Sequence, residues 1–441
     1  RILRLCTLLQ DLSPRGEWDG LPLHPGPSGV VAAGTESETR DEMNWSRASV
    51  GRESTIMGNR MKQRWCRLGL VSLLAWTLFG GMHGLGAAEP DAWRQRFEAG
   101  VQARDAAHYA EAETLLTQAL REAEQGRADD ARVALAANHL GLLYHDQGRL
   151  TEAESLYARA LGIWEARLGS EHEDVAAALN NLAEIAHAKG DWTEAEPLYE
   201  RVLAIERKTL GAAHPDVAVS LNNLAELYRK QGRETAAESS YQLALTLMEQ
   251  AHGPEHVELG PVLNNLAALY KGRGLYVWAE PFYERALQVR RLRFGSEHPA
   301  VAMGLNNAAC LYQAEGLYAD AQRLFDEALE IAERVSGPQA SLTGTITGNM
   351  AFLADEQGLW MQAQLLYQRA LVIQQQQLGL HHPTVGLLAD RYARVLDLLG
   401  RPVEAGLFAA RAASIRARMQ SEAVKHGAGR RQGPMVGEIR R

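Results

Sequence analysis

Cysteine is nearly missing: Cys6, Cys66 and Cys310 are the only three in 441 residues. Three thiols cannot staple a disulfide-rich scaffold or fill a four-cysteine zinc site. Aromatics make up only 7%, and 40 glycines with 15 prolines are too few for a collagen-like or low-complexity chain. Positive charge is short too, since 46 Lys and Arg stand against 54 Asp and Glu; a net −8 excludes a generally basic nucleic-acid binder. The chain also lacks G-x-x-x-x-G-K-[ST], H-E-x-x-H, G-x-S-x-G and CxxC, so no familiar phosphate, zinc-protease, serine-hydrolase or redox chemistry is signalled. What is present is 46% apolar and 23% charged residues, a globular balance, with abundant Ala and Leu that favour helix.

The charge is uneven. Residues 1–88 carry +2, residues 89–415 carry −15 and residues 416–441 carry +5. Such a basic end reads as a solvated tail, with a weak anionic-surface contact as the alternative. Within the first segment, Lys62, Arg64 and Arg67 precede an uncharged apolar run from Leu68 to Leu85, and Gly86-Ala87-Ala88 supplies small residues before Glu89-Pro90. This is the layout of a secretory signal peptide at 61–88. Residues 1–60 show no sustained period and read as a non-native, disordered extension ahead of a start at Met61 or Met57. An uncleaved anchor at 68–85 is the competing reading, at the lower limit for spanning a membrane. The expected organisation is therefore 1–60 extension, 61–88 signal or anchor, 89–420 folded array and 421–441 basic disordered tail. The expected location is periplasmic or secreted, with membrane anchoring as the alternative.

The array announces itself by period. Gly148, Gly190, Gly232, Gly274, Gly316, Gly358 and Gly400 are each 42 residues apart, as are Ala153 through Ala405 and the series Tyr157, Tyr199, Tyr241, Tyr283, Phe325 and Tyr367. An earlier copy, offset by 41, places Ala107, Tyr109 and Ala112 against Gly148, Leu150 and Ala153. Each copy contains two apolar stripes of helical spacing, Val175, Leu179, Leu182, Ala183 and Ala186 in one, Ala195, Leu198, Tyr199, Val202 and Leu203 in the other. Gly190 separates them as a left-handed cap. A single hairpin cannot bury both stripes, so neighbours must stack.

The pattern Leu179, Leu182-Ala183, Gly190, Trp192, Ala195, Tyr199, Val202 resembles the tetratricopeptide repeat. The 42-residue length, the Leu221-Asn222-Asn223-Leu224-Ala225 helix and the LG-x-x-HPDV loop look more specifically like kinesin light chains and their bacterial relatives. The resemblance covers the array only, and the heptad coiled coil that joins those chains to a motor is missing. It implies an all-α, right-handed superhelical solenoid of about eight hairpins, and a non-enzymatic scaffold that holds an extended peptide or a partner protein in a concave groove. A cytoplasmic or membrane-tethered adaptor of the same fold is the alternative, and an enzyme with an unrecognised site a third. Two departures stand out. Thr343, Gly344, Thr345, Ile346, Thr347 and Gly348 weaken helix propensity in one copy, and Asp390-Arg391 with Ala409 makes the last copy read as a polar cap.

Candidate binding residues follow from the same register. Asn180/Asn181, Asn222/Asn223, Asn264/Asn265 and Asn306/Asn307 recur in mid-helix, with Asn138 and Asn349 as single members. An amide both donates and accepts, which suits a peptide backbone, and the family resemblance places equivalent positions in the groove. One member of each pair is expected to bridge repeats and the other to face the ligand. One turn on come His145, His187, Arg229/Lys230, Lys271, Gln313 and Asp355; Arg229 and Lys271 make an acidic peptide the expected partner, with ordinary surface cations as the other reading. The loop histidines His172, His214, His256, His298 and His382 invite a metal, but equivalent residues of stacked helices lie roughly 8–10 Å apart, too far to share an ion. They are read as shaping the loop and starting the next helix. The Glu152/Glu154 and Glu194/Glu196 runs are read as a solvated face. No catalytic, metal or cofactor residue is assigned, and no nucleic-acid partner. Cys310 shares a column with Glu184, Glu226, Ala268 and Phe352, which predicts exposure to the groove and reactivity.

Overall fold

The computed structural model describes residues 92–106, 108–126 and 131–429, with side chains up to 418. The expected extension 1–60, the signal or anchor at 61–88 and the tail beyond 429 lie outside the described residues. Among those described, the chain forms sixteen α-helices and one 3-10 turn, with no strand. None of these helices is long and apolar enough to cross a membrane.

Two compact units divide the described chain between Gly253 and Pro254. The first unit holds α1 (Ala92–Asp105), α2 (Tyr109–Glu124), α3 (Ala131–Asp146), α4 (Leu150–Leu168), α5 (Glu173–Lys189), α6 (Trp192–Thr209), α7 (Pro215–Lys230) and α8 (Glu234–His252). The second opens with a 3-10 turn, Val257–Leu259, and continues with α9 (Gly260–Gly272), α10 (Tyr276–Phe294), α11 (Pro299–Glu315), α12 (Tyr318–Ser336), α13 (Ser341–Glu356), α14 (Trp360–Leu378), α15 (Pro383–Leu398) and α16 (Pro402–Gly429). Each odd-numbered helix packs on the even-numbered helix that follows it. Within a unit each even helix then packs on the next odd one, so hairpins stack.

The sequence pattern explains the packing. Ala183 and Ala195 are both fully buried, as are Ala225 and Ala237, so paired helices approach with only methyl groups between them. The aromatic of the even helices from α4 to α14, such as Tyr199 or Tyr241, is buried beside that contact. At Gly141, which takes the place of Ala183 one repeat earlier, even a Cβ would come within 2.8 Å of the Tyr157 ring. Odd helices from α3 onward end on a left-handed glycine: Gly190 has φ 78° and ψ 14°, and the next N–H, of Asp191, reaches back to the Ala186 carbonyl at 2.8 Å.

Three expectations need correction. The threonine- and glycine-rich copy is a full sixteen-residue helix, α13. There Thr345 and Thr347 return their hydroxyls to the carbonyls of Ser341 and Thr343. Gly344 is a notch for Ile373, whose Cγ2 would lie 2.8 Å from any Cβ placed there. Tertiary packing overrides the propensity. The last copy is not uniformly polar, since α16 exposes Val403 at 80% and Leu407 at 68%. That helix also runs on to Gly429, past the expected end of the array at 420.

Candidate functional site

The asparagines form a ladder between repeats. In the first unit Asn181 Nδ2 donates to Asn138 Oδ1 at 2.9 Å, and Asn223 Nδ2 to Asn180 Oδ1 at 3.3 Å. In the second, Asn307 donates to Asn264 at 3.4 Å and Asn349 to Asn306 at 2.8 Å. Every rung spans one period plus one residue, so the second member of a pair donates backward and the first accepts from the repeat that follows. In the 180/181 and 306/307 pairs both members therefore serve the stacking, against the expected division into one structural member and one for ligand, because an amide has a donor end and an acceptor end. Asn181, Asn222 and Asn306 are buried; Asn180, Asn223, Asn264, Asn265 and Asn307 are half-buried and keep part of their surface open. Asn180 spends its own Nδ2 on Glu184.

One turn later the residues expected as exposed cations are buried. Arg229 grips Glu226 with two hydrogen bonds, Nε to Oε2 at 2.9 Å and Nη2 to Oε1 at 2.7 Å, while Lys230 stands 3.5 Å from the same carboxylate. Tyr241 from α8 donates its hydroxyl to Glu226 at 2.8 Å. Burial would raise the Glu226 carboxyl, but the charges of Arg229 and Lys230 and the Arg229 hydrogen bond outweigh it and hold it far below the carboxylate range. His187 beside them is lowered to about 4 by burial, so it is neutral at pH 7. In the second unit Lys271 is 1% exposed, with its Nζ 5.9 Å from the centre of the Tyr283 ring. Its place near the C-terminus of α9 sets it against α10 of the same hairpin, where Tyr283 lies. Surface exposure of Arg229 and Lys271 is thus overturned.

The equivalent position in α13 is Asp355. It pairs with Arg394 of α15 and lies 3.5 Å from the Tyr367 hydroxyl. Next to it, Glu356 accepts from Gln313 Nε2 at 2.8 Å, again one period plus one residue away. Burial pushes Glu356 up to about 7; Asp355 adds to that, while the Gln313 hydrogen bond and the charges of Arg391 and Arg394 oppose it.

The histidines cap helices. Nδ1 accepts the backbone N–H two residues on: for His172 and His214 from Asp174 and Asp216, both at 3.2 Å, for His298 from Ala300 at 3.1 Å, for His382 from Thr384 at 3.2 Å. His256 does the same toward Glu258 at 3.4 Å. The even-helix glutamates are pinned rather than merely solvated: Glu154 to Lys189, and Glu196 to Arg233 and Gln231. Cys310 is fully buried in the second unit's core, which corrects its expected reactivity. A polar neighbour in its column is not a sign of solvent, because Glu226 is itself enclosed. Sequence reasoning missed a second feature, a hollow of about 710 Å³ in the second unit, lined by Leu365 and Val372 of α14, Tyr392 of α15, and Phe408 of α16. The exposed apolar pair Leu365 and Val372, seven residues apart on α14, was its signal.

Stacked helical hairpins, an in-register amide ladder and paired glycine caps define a helical repeat protein. The chain belongs to the tetratricopeptide repeat family, whose pattern matches residues 132–208, 174–250, 216–291, 258–334 and 302–372. Among solved structures, the apo form of the quorum sensor NprR from B. thuringiensis is 12% identical, covers 81% of this chain and 94% of its own, and has a TM-score of 0.59, a likeness of fold alone. A putative kinesin light chain from Podosopora anserina with nearly identical TPR-like repeats is 27% identical over 47% of this chain and 97% of its own, TM-score 0.41. BtubC from P. vanneervenii is 24% identical over 56% of this chain and 94% of its own, TM-score 0.44. No curated protein matches the chain.

Proposed function

We propose that this chain is a non-enzymatic scaffold of the cell envelope that takes an extended peptide or a partner protein on the face of its odd-numbered helices. The observation that carries this reading is the row of half-buried amides, Asn180, Asn223, Asn264, Asn265 and Asn307, repeated on those helices. An amide presents both a donor and an acceptor, and the surface these side chains keep open is where a bound backbone can address them. The family of helical repeats supports binding over catalysis. So does the setting of Glu206, whose carboxyl is pushed up to about 8 but is 1% exposed and out of a substrate's reach. The envelope location rests on the signal-like segment 61–88.

A footprint tests the reading. A partner captured by the 89–441 chain should, under hydroxyl-radical labelling, protect α5 and α7 or α9 and α11. Protection confined to even-numbered helices would overturn it. N-terminal sequencing of the natural protein should find Glu89 first; a retained 68–85 segment favours the membrane-tethered adaptor.

A further inference from the structure

Successive even-numbered helices are clasped by an ion pair that recurs in one register. In the first unit Glu124 of α2 takes Arg159 of α4, and Glu165 of α4 takes Arg201 of α6. In the second, Arg291 of α10 meets Glu327 of α12 at 2.8 Å with the signs exchanged, and Glu333 of α12 takes Arg369 of α14. Each pair is 35 or 36 residues apart. The same register then joins α14 to α16, where it sets Gln375 opposite Arg411. In the amide orientation that its donors dictate, Gln375 Oε1 accepts from Arg411 Nη1 at 2.8 Å and from Nη2 at 3.3 Å. The contact is kept and its negative charge is missing. Among the described residues no carboxylate takes its place: Glu404, earlier on α16, has both oxygens bound by Arg401.

Gln375 and Arg411 both line the hollow of about 710 Å³. Its floor is apolar: Leu371, Ile373 and Tyr392 are buried, and the Phe408 ring stands edge-on to Tyr392 with centres 4.6 Å apart. Leu365 and Val372 line it while 64% and 51% exposed, so the hollow is open to solvent. The matching positions on α12 are Arg323 and Glu330, so an apolar rim replaces charges here. Arg369 lines it as well but spends its charge on Glu333. From Leu365 to Gln375 the wall runs about 15 Å along α14, long enough for a medium-length alkyl chain.

An open apolar hollow with one uncompensated cation at its wall suits a small amphiphilic anion. Leu371, Ile373 and Phe408 offer no partners to a peptide backbone, whose buried amides would then be costly. A methylene chain asks for none. We propose that this hollow binds a fatty acid of medium chain length, with its carboxylate on Arg411 and its alkyl chain against Leu371, Ile373 and Phe408. The two Nη nitrogens of Arg411 each carry a second N–H beyond the one given to Gln375, so the guanidinium can still meet a carboxylate with parallel hydrogen bonds. The bound anion completes the clasp that Gln375 leaves neutral. The site is built on even-numbered helices and does not rest on the reading of the odd-helix face.

The full chain is titrated by calorimetry with decanoate held below its micelle concentration. Decanol, which keeps the chain and loses the charge, and acetate, which keeps the charge and loses the chain, are titrated in parallel. Decanoate should bind at least about tenfold tighter than either. Arg411→Gln should bring decanoate down to the level of decanol. Gln375→Glu rebuilds the clasp of the earlier repeats, so it should weaken decanoate by a similar factor in a chain at least as stable as wild type. Equal affinity for decanoate and decanol, no binding of decanoate, or an Arg411→Gln chain that keeps the preference overturns the proposal. So does tighter binding of acetyl-Leu-Val-Leu with a free carboxylate, which would make the hollow a peptide site. Should a variant misfold by circular dichroism, the comparison of ligands on the wild-type chain still decides.

Discussion

Asn349 donates its amide to Asn306 across 2.8 Å, and both side chains are sealed from solvent, at 0% and 1% exposure. The rung is worth less for the bond it makes than for what its loss leaves behind. Asn306→Leu strands a buried donor on Asn349, and the reverse change strands an acceptor. Each single change should lower stability by about 1–3 kcal/mol. The double change Asn306→Leu with Asn349→Leu should cost less than the sum, because no amide is then left unpaired. Urea unfolding of the four proteins measures the coupling; strict additivity would show that the rung does not hold the repeats together.

Glu206 makes a pH prediction. Burial between α6 and α7 is the main cause that lifts its carboxyl to about 8; Asp216 adds to it and the Ser220 hydroxyl opposes it. A folded-state value above the unfolded 4.5 means the native chain keeps a proton that the unfolded chain releases. The stability from this group is full below about pH 4.5, falls by about 1.4 kcal/mol per pH unit as pH climbs toward 8, and is flat beyond. The next repeat has Met248 at the matching position. Glu206→Met should remove that slope, so that its stability gain over wild type grows between pH 5 and 8. A gain that is constant over this range would contradict the assignment.

Much of this fold was legible in the sequence, because its period is long, regular and carried by residues with distinct physical jobs. Ala183, Ala195 and Tyr199 state the helix contact, Gly190 the cap, and His214-Pro215 the next start. The site was less legible for a reason visible in the asparagines. A residue that recurs in register is equally suited to a ligand that runs along the stack and to its own image in the next repeat. Only the offset of 43 separates the two, and it pairs second members with first. Arg229 and Lys271 misled in the same way. A charge at a helix end reads as surface until packing encloses it, and Glu226, the partner that makes burial of Arg229 tolerable, lies in a column that reads as groove.

Cys310 should be silent. It is fully enclosed among Leu305, Ala309 and Phe325 in the second unit's core. A thiol reagent reaches it only when that core opens, so labelling should follow the slow opening of buried core rather than local fraying. Native-state labelling should run at the rate of exchange for protected amides of α11. Rapid labelling of the folded chain would place the residue on a surface after all.

Two glycines flank α11 and differ in kind. Gly316 closes the helix with φ 85° and ψ 9°, the left-handed region that asparagine also tolerates. Gly295 ends α10 with φ 76° and ψ 173°, a region open almost only to glycine. A Cβ at either would meet nothing within 4 Å, so strain alone is measured. Gly316→Asn should cost less than about 1 kcal/mol, and Gly295→Asn about 1–3 kcal/mol. Equal losses would mean the turn at Gly295 can rearrange.

Ala340 stands where five other repeats have the capping histidine. Its backbone, φ −72° and ψ 152°, is nearly that of His214, φ −71° and ψ 142°, yet no side chain caps α13 and its first turn has no acidic residue. The N-cap side chain therefore accepts none of the N–H groups at that end, while Thr343 turns its hydroxyl to the Gly337 carbonyl. An aspartate in the same backbone geometry can accept one of those N–H groups and meets the positive end of the helix. Ala340→Asp should raise stability by about 1 kcal/mol, and His382→Ala, which removes the working cap of α15 in the next repeat, should lower it by a similar amount. Chemical denaturation of the two variants checks both signs at once. If Ala340→Asp leaves the midpoint unchanged while His382→Ala lowers it, the Thr343 contact already does the work of the missing cap, and the histidines matter for the loop they shape rather than for the helix they begin.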